Sequence, residues 1–240
     1  MNLDRTLLQR SYLFFVIFLL LAVAAFWFTY WTRLGEQENY RMHLHGIALF
    51  LWCVMLITQA ILARSNRNAL HRNLGRLSYF LIPFMVITTL DLLKYKVDHL
   101  ASPSAMDYWF ISLVLNAVIA LLIFYVLAIK YRKVVALHSR FMVSTVFPMF
   151  TPVTDRLIAF YIPGLKHYLP VIEGNPIRPV AGFILCDALL LLLCITDWKS
   201  KRTRWVFPFV LAVMLLYHYS VINFYRFGFW QSFGQWFINF

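Results

Sequence analysis

The sequence predicts an all-α membrane protein of seven transmembrane helices, with its N-terminus inside and its C-terminus outside. Three observations carry that expectation. The chain is 62% hydrophobic and 13% charged, where soluble domains hold roughly 45–50% apolar and 25% charged residues. Its apolar residues gather into stretches of about 20, the length that crosses a hydrocarbon core about 30 Å thick. Its basic residues are distributed by side: 14 of the 22 Lys and Arg fall at the N-terminus or in the loops joining spans two to three, four to five and six to seven. Positive charge is retained on the cytoplasmic face, so that side is the inner one.

The spans lie at about 11–31, 43–64, 74–94, 108–130, 139–162, 179–197 and 205–225. The first is too long and too aromatic for a removable leader and lacks a small-residue cleavage site, so it reads as a true span. The third contains Pro83, and the fifth contains Pro148 and Pro152. Each proline removes a backbone donor and is expected to interrupt its helix. The external loops "WTRLGEQENYRM" and "PGLKHYLPVIEGNPIRP" are too short to fold alone, so residues 1–240 form one membrane domain. The tail "FGFWQSFGQWFINF" carries no charge, and its aromatic residues recur at steps of three and four. That pattern predicts an aromatic helix over 227–240 lying in the outer headgroup layer.

The net charge of +12 is accounted for by topology, which makes anionic headgroups on the inner side the expected partner and leaves nucleic acid without a role. Cys53, Cys186 and Cys194 all fall within predicted spans. They give no disulfide framework and no metal-ligand spacing, and read as small packing residues.

"NALHRNLGRL" and "VALHSRFMVS" repeat Ala-Leu-His with an arginine close behind. Both copies sit where a basic loop enters an apolar run. Spans two and three, and spans four and five, therefore read as a tandem repeat of helical hairpins, placing His71 and His138 at equivalent inner positions. A neutral imidazole there can ligate haem iron or a metal, and Arg72 and Arg140 are the expected holders of propionates, a phosphate or a quinone oxygen.

A second polar layer lies towards the outer face. His45, Asp91, Asn116, Asp155, Asp187 and His218 all fall roughly 5–12 Å inside the outer boundary at the helical rise. Ionisable groups in lipid are costly, so they should face inward and pair. Arg156 is expected to meet Asp91 or Asp187. His45, His218 and Asp187 are the candidate metal ligands, with Asp155 or Asp91 as catalytic base. His99 and His167 read as solvated loop residues.

The run "HLHGIALFLWCVMLITQAILARSNRNALHRNLGRL" with the later "ALHSRFM" resembles a group of bacterial multi-span proteins marked by HxHG, LHRxLG and HxRxM patterns, a resemblance that implies no activity. More distantly, the helix-borne histidines are similar to those of transmembrane diheme cytochrome b reductases. That resemblance implies haem b held by His71 and His138, with His45 and His218 serving a second haem.

Three functional readings follow: haem-based electron transfer; a zinc-type intramembrane hydrolase; or a transporter or sensor of a small ligand using an outward-facing polar pocket. The seven-span hydrolases related to adiponectin receptors share the orientation but not the serine, aspartate and histidine spacing. No lysine on span seven is available for a retinal Schiff base. In each reading the protein resides in the inner cell membrane.

Overall fold

The computed structural model describes residues 3–98, 100, 102–200 and 203–240. Helices dominate: α1 (Leu3–Ala25), α2 (Tyr40–Arg64), α3 (Asn68–Gly75), α4 (Ser78–Val97), α5 (Ala105–Lys130), α6 (Val135–Ser144), α7 (Phe150–Tyr161), α8 (Pro179–Asp197), α9 (Val206–Asn223) and α10 (Gly228–Asn239). Six helical stretches are long and apolar enough to cross a bilayer: Thr6–Ala25, Tyr40–Arg64, Asn68–Val97, Ala105–Lys130, Pro179–Asp197 and Val206–Arg226. Their large apolar side chains also point outward, with Phe80 78% exposed, Ile184 66%, Ile195 71% and Leu216 65%. Large apolar side chains exposed along several span-length helices are what a lipid-facing surface presents. The chain is a multi-pass integral membrane protein.

The predicted fifth span, 139–162, takes a different form. It is divided into α6 and α7 by a short 3₁₀ turn at Phe147–Met149, with Pro148 inside the turn. Pro152 falls in the first turn of α7, where a missing N–H costs little. Pro83 does not act as expected, because α4 runs through it without a break. The interruption foreseen in both hairpins therefore occurs in the second alone.

Local chemistry sets the helix ends. The Asn39 side chain accepts from the Arg41 N–H and caps α2. Ser104 and Asp107 form a reciprocal capping box at the start of α5, satisfying two of the N–H groups that a helix start leaves free. The loop after α7 contains a two-stranded hairpin, β1 (Val171–Ile172) and β2 (Asn175–Pro176). Its turn places Glu173 at φ 48° and Gly174 at φ 79°, the left-handed conformations that a tight hairpin requires. The Glu173 carboxylate accepts from the Ala105 N–H and ties this loop to α5.

The chain packs as two compact units, Met1–Leu92 and Leu93–Phe240. In the first, α1 lies along α2, and Ala48, Trp52 and Leu56 on α2 are buried. In the second, α5 packs on α6 and α9, α7 on α8, and α8 on α9, around Phe124, Phe141, Phe147, Leu190, Phe207 and Met214. The tail forms α10 much as its periodicity predicts. It is fastened to the rest of this unit by a Trp230 Nε1–H bond to the Tyr108 carbonyl and a Tyr108 hydroxyl bond to Gln235 Oε1.

Candidate metal centre

Cys186, Asp187 and Phe183 lie on α8, and His218 lies on the neighbouring α9. Gly182 allows α7 to approach α8 closely, because a Cβ at that position would collide with the Thr154 side chain. The same stretch of α8 presents Phe183 and Cys186 inward, 2% and 1% exposed. The Phe183 ring stacks on the His218 imidazole at 4.1 Å between centroids and 20° between planes. Two side chains thus hold the imidazole: a ring on its face and a carboxylate at its edge.

His218 Nδ1 lies 3.0 Å from Asp187 Oδ2. With the carboxylate ionised, the shared hydrogen belongs to Nδ1, which leaves Nε2 with a free lone pair. His218 Nε2 and Asp187 Oδ1 are both buried and have no hydrogen-bond partner among the described residues. One donor atom from each of Cys186, Asp187 and His218 lies within 4.8 Å of the others. With the imidazole neutral, His218 Nε2 and Asp187 Oδ1 are both acceptors. Leaving such groups unsatisfied costs about 1–3 kcal/mol each.

Donors sharing one tetrahedral ion at bond lengths of 2.0–2.3 Å stand roughly 3.3–3.8 Å apart. The cluster needs to contract by only about 1 Å to reach that separation. Ligation by all three residues would put the ion on the Nδ1 edge of His218, in place of the hydrogen that Nδ1 shares with Asp187. The donors present fit a transition-metal ion.

Of the predicted metal ligands, Asp187 and His218 are brought together. His45 lies in the first unit, where its Nδ1 stands 3.3 Å from Thr89 Oγ1. Cys186, which the sequence presents as a packing residue, is the third donor beside the dyad. Its adjacency to Asp187 was the available signal, but helical neighbours diverge by about 100°, and the sequence does not show that the two converge on one histidine.

The two aspartates expected to act as bases are held in ion pairs. Asp91 meets Arg41 at 3.0 Å, and Asp155 meets Arg178 at 2.9 Å. Asp91 and Asp187, the expected partners of Arg156, are thus engaged by Arg41 and His218. An Arg156 Nη1–H donates to the Pro152 carbonyl at 3.1 Å. Asn116 turns back on its own helix and donates to the Ser112 carbonyl.

The inner histidines occupy matching places, each the fourth residue of the short helix that follows a basic turn. His71 Nδ1 lies 3.2 Å from the Gln59 carbonyl oxygen, and His138 Nδ1 lies 2.9 Å from that of Ala128. Each ring ties its helix to the last turns of the preceding one. Arg72 is exposed, whereas Arg140 is fully buried. The Arg140 Nε–H and an Nη2–H donate to the two oxygens of Asp197, and an Nη1–H donates to the Ala136 carbonyl. These bonds commit the guanidinium to the protein itself. His167 is exposed in a 3₁₀ segment, and His99 lies outside the described residues. Comparison with protein-family models, curated proteins and solved structures gives no match, so the reading of this site rests on its geometry.

Proposed function

We propose that this protein binds a transition-metal ion in its second unit and uses it for metal-dependent hydrolysis within the membrane. The observation that carries the reading is the convergence of one donor atom each from Cys186, Asp187 and His218 to within 4.8 Å of one another. Three protein donors leave one tetrahedral position for water, the arrangement that distinguishes catalytic zinc-type sites from closed structural ones. Asp187 keeps 21% of its side chain accessible, which offers that position a route outward. On this reading the protein sits in the inner cell membrane with its N-terminus cytoplasmic and its basic turns among anionic headgroups.

The test is elemental analysis of the purified full-length protein. The reading expects about one ion per chain, lost on His218→Ala, as metal held by folded ligands should be. A metal content near zero in protein prepared without chelator defeats it. Haem b is a second reading, prompted by the matching positions of His71 and His138 on the short helices that follow the two basic turns. A Soret band in the same preparation would establish it, and its absence after haem-replete expression would remove it.

A further inference from the structure

We infer that Cys186 binds the ion as a thiolate, making this a sulfur–imidazole–carboxylate site selective for a borderline divalent ion such as zinc or cobalt over magnesium and calcium. The inference rests on the metal reading above and specifies which class of ion it admits. Three observations support it. Cys186 is 1% exposed, and its sulfur belongs to the one cluster of three potential ligands found among the described residues. Only one carboxylate contributes, together with one nitrogen and one sulfur. Magnesium and calcium take six or more oxygen ligands, which this cluster does not supply. Sulfur and imidazole favour the later first-row divalent ions.

Charge balance points the same way. A thiolate and a carboxylate together neutralise a divalent ion, with the thiol proton passing to bulk water as the sulfur binds. A neutral assembly carries a far smaller burial cost inside a bilayer than one with residual charge. A monovalent ion in the same place would leave net negative charge against Phe183, which stacks on the ligand ring at 4.1 Å. Phe183 is a positioning residue here: it fixes the plane of His218.

The experiment is cobalt substitution of the full-length protein in detergent, followed by absorption spectroscopy and competition. Cobalt bound through sulfur gives an intense near-ultraviolet thiolate-to-metal charge-transfer band together with tetrahedral visible bands. The wild type should show both, and zinc should displace cobalt stoichiometrically. A hundredfold excess of magnesium or calcium should leave the spectrum unchanged. Cys186→Ser should lose the charge-transfer band and weaken cobalt binding at least tenfold. Cys194→Ser, on the same helix, should change neither. Circular dichroism of each variant confirms that helix content is retained. Cobalt bound without the charge-transfer band, or a band unaffected by Cys186→Ser, overturns the thiolate assignment while leaving the metal site standing. Absence of any cobalt or zinc binding overturns both.

Discussion

Replacing Asp197 by alanine tests whether Arg140 is part of the fold or a holder of ligands. Both side chains are 0% exposed, with Nε–H donating to Oδ2 at 2.7 Å and an Nη2–H to Oδ1 at 2.5 Å. Asp197→Ala removes the counter-charge and the acceptors of two guanidinium donors while leaving the cation buried. Breaking one side of a buried pair costs about 3–5 kcal/mol, or roughly two to four powers of ten in the folding equilibrium. The assay is reversible unfolding in mixed micelles, followed by far-ultraviolet circular dichroism. The paired replacement Arg140→Met with Asp197→Leu should recover most of the loss, since an apolar pair of similar volume is often no worse than a buried ion pair. A cost for Asp197→Ala below about 1 kcal/mol, the range of exposed pairs, would refute the reasoning. So would an equal loss in the double variant, which would assign the effect to packing instead of charge.

Gly182→Ala should destabilise the second unit by about 1–3 kcal/mol, as overpacking usually does, because the new methyl meets the Thr154 side chain. Combining it with Thr154→Ala should restore much of the thermal midpoint. Lys94 donates to the carbonyls of Ile238 at 2.6 Å and Phe237 at 3.3 Å, so a cation caps the C-terminal end of α10. Lys94→Met should loosen that helix by about 0.3–1 kcal/mol and speed chymotryptic cleavage at its aromatic residues, with circular dichroism of the rest little changed.

What the sequence made legible was whatever depends on length and apolar content. The segments at 43–64, 108–130 and 179–197 fall within a few residues of α2, α5 and α8, because hydrophobic span length is a one-dimensional property. The turn after α2 was harder to place. The residues around "NALHRNLG" fold as a short amphipathic helix, α3, at the start of the span-length stretch Asn68–Val97. The proline reading succeeded at Pro148 and failed at Pro83, and the two have the same local chemistry. Pro148 lies in the 3₁₀ turn between α6 and α7, whereas α4 continues through Pro83, and nothing in the structure explains the difference.

Pairing was the least legible feature. Depth along a helix can be counted, but rotation about it at a given level cannot. Four of the six polar groups at one depth therefore enter the pairs Arg41–Asp91, Arg178–Asp155 and Asp187–His218, while His45 lies beside Thr89 and Asn116 bonds back to Ser112. The first two pairs involve arginines from helix ends, Arg41 in the first turn of α2 and Arg178 before α8, which the depth count had left outside the polar layer.

The divided passage α6–α7 decides on which side the chain ends. Its halves have 10 and 12 residues, or roughly 15 and 18 Å at the helical rise. Neither half spans a core of about 30 Å alone, but the two in succession can. Charge distribution gives an independent constraint. In the sequence, Lys130, Arg132 and Lys133 lie at and just after the end of α5, and Lys199, Lys201, Arg202 and Arg204 lie between α8 and α9. Both belong on the inner face if positive charge is retained there. Between them the chain must cross an even number of times, so α8 returns inward only if α6 and α7 together pass outward. A reporter fused after Phe240 should therefore read as external, while one fused within residues 199–204 reads as cytoplasmic. If both read as cytoplasmic, α9 does not cross, and the six-span count by length is wrong. If the 199–204 fusion reads as external, α6–α7 is a re-entrant element that begins and ends on the inner side. Cys186, Asp187 and His218 would then keep their mutual geometry, but their depth would be measured from the opposite face, and so would the side from which water or substrate reaches them.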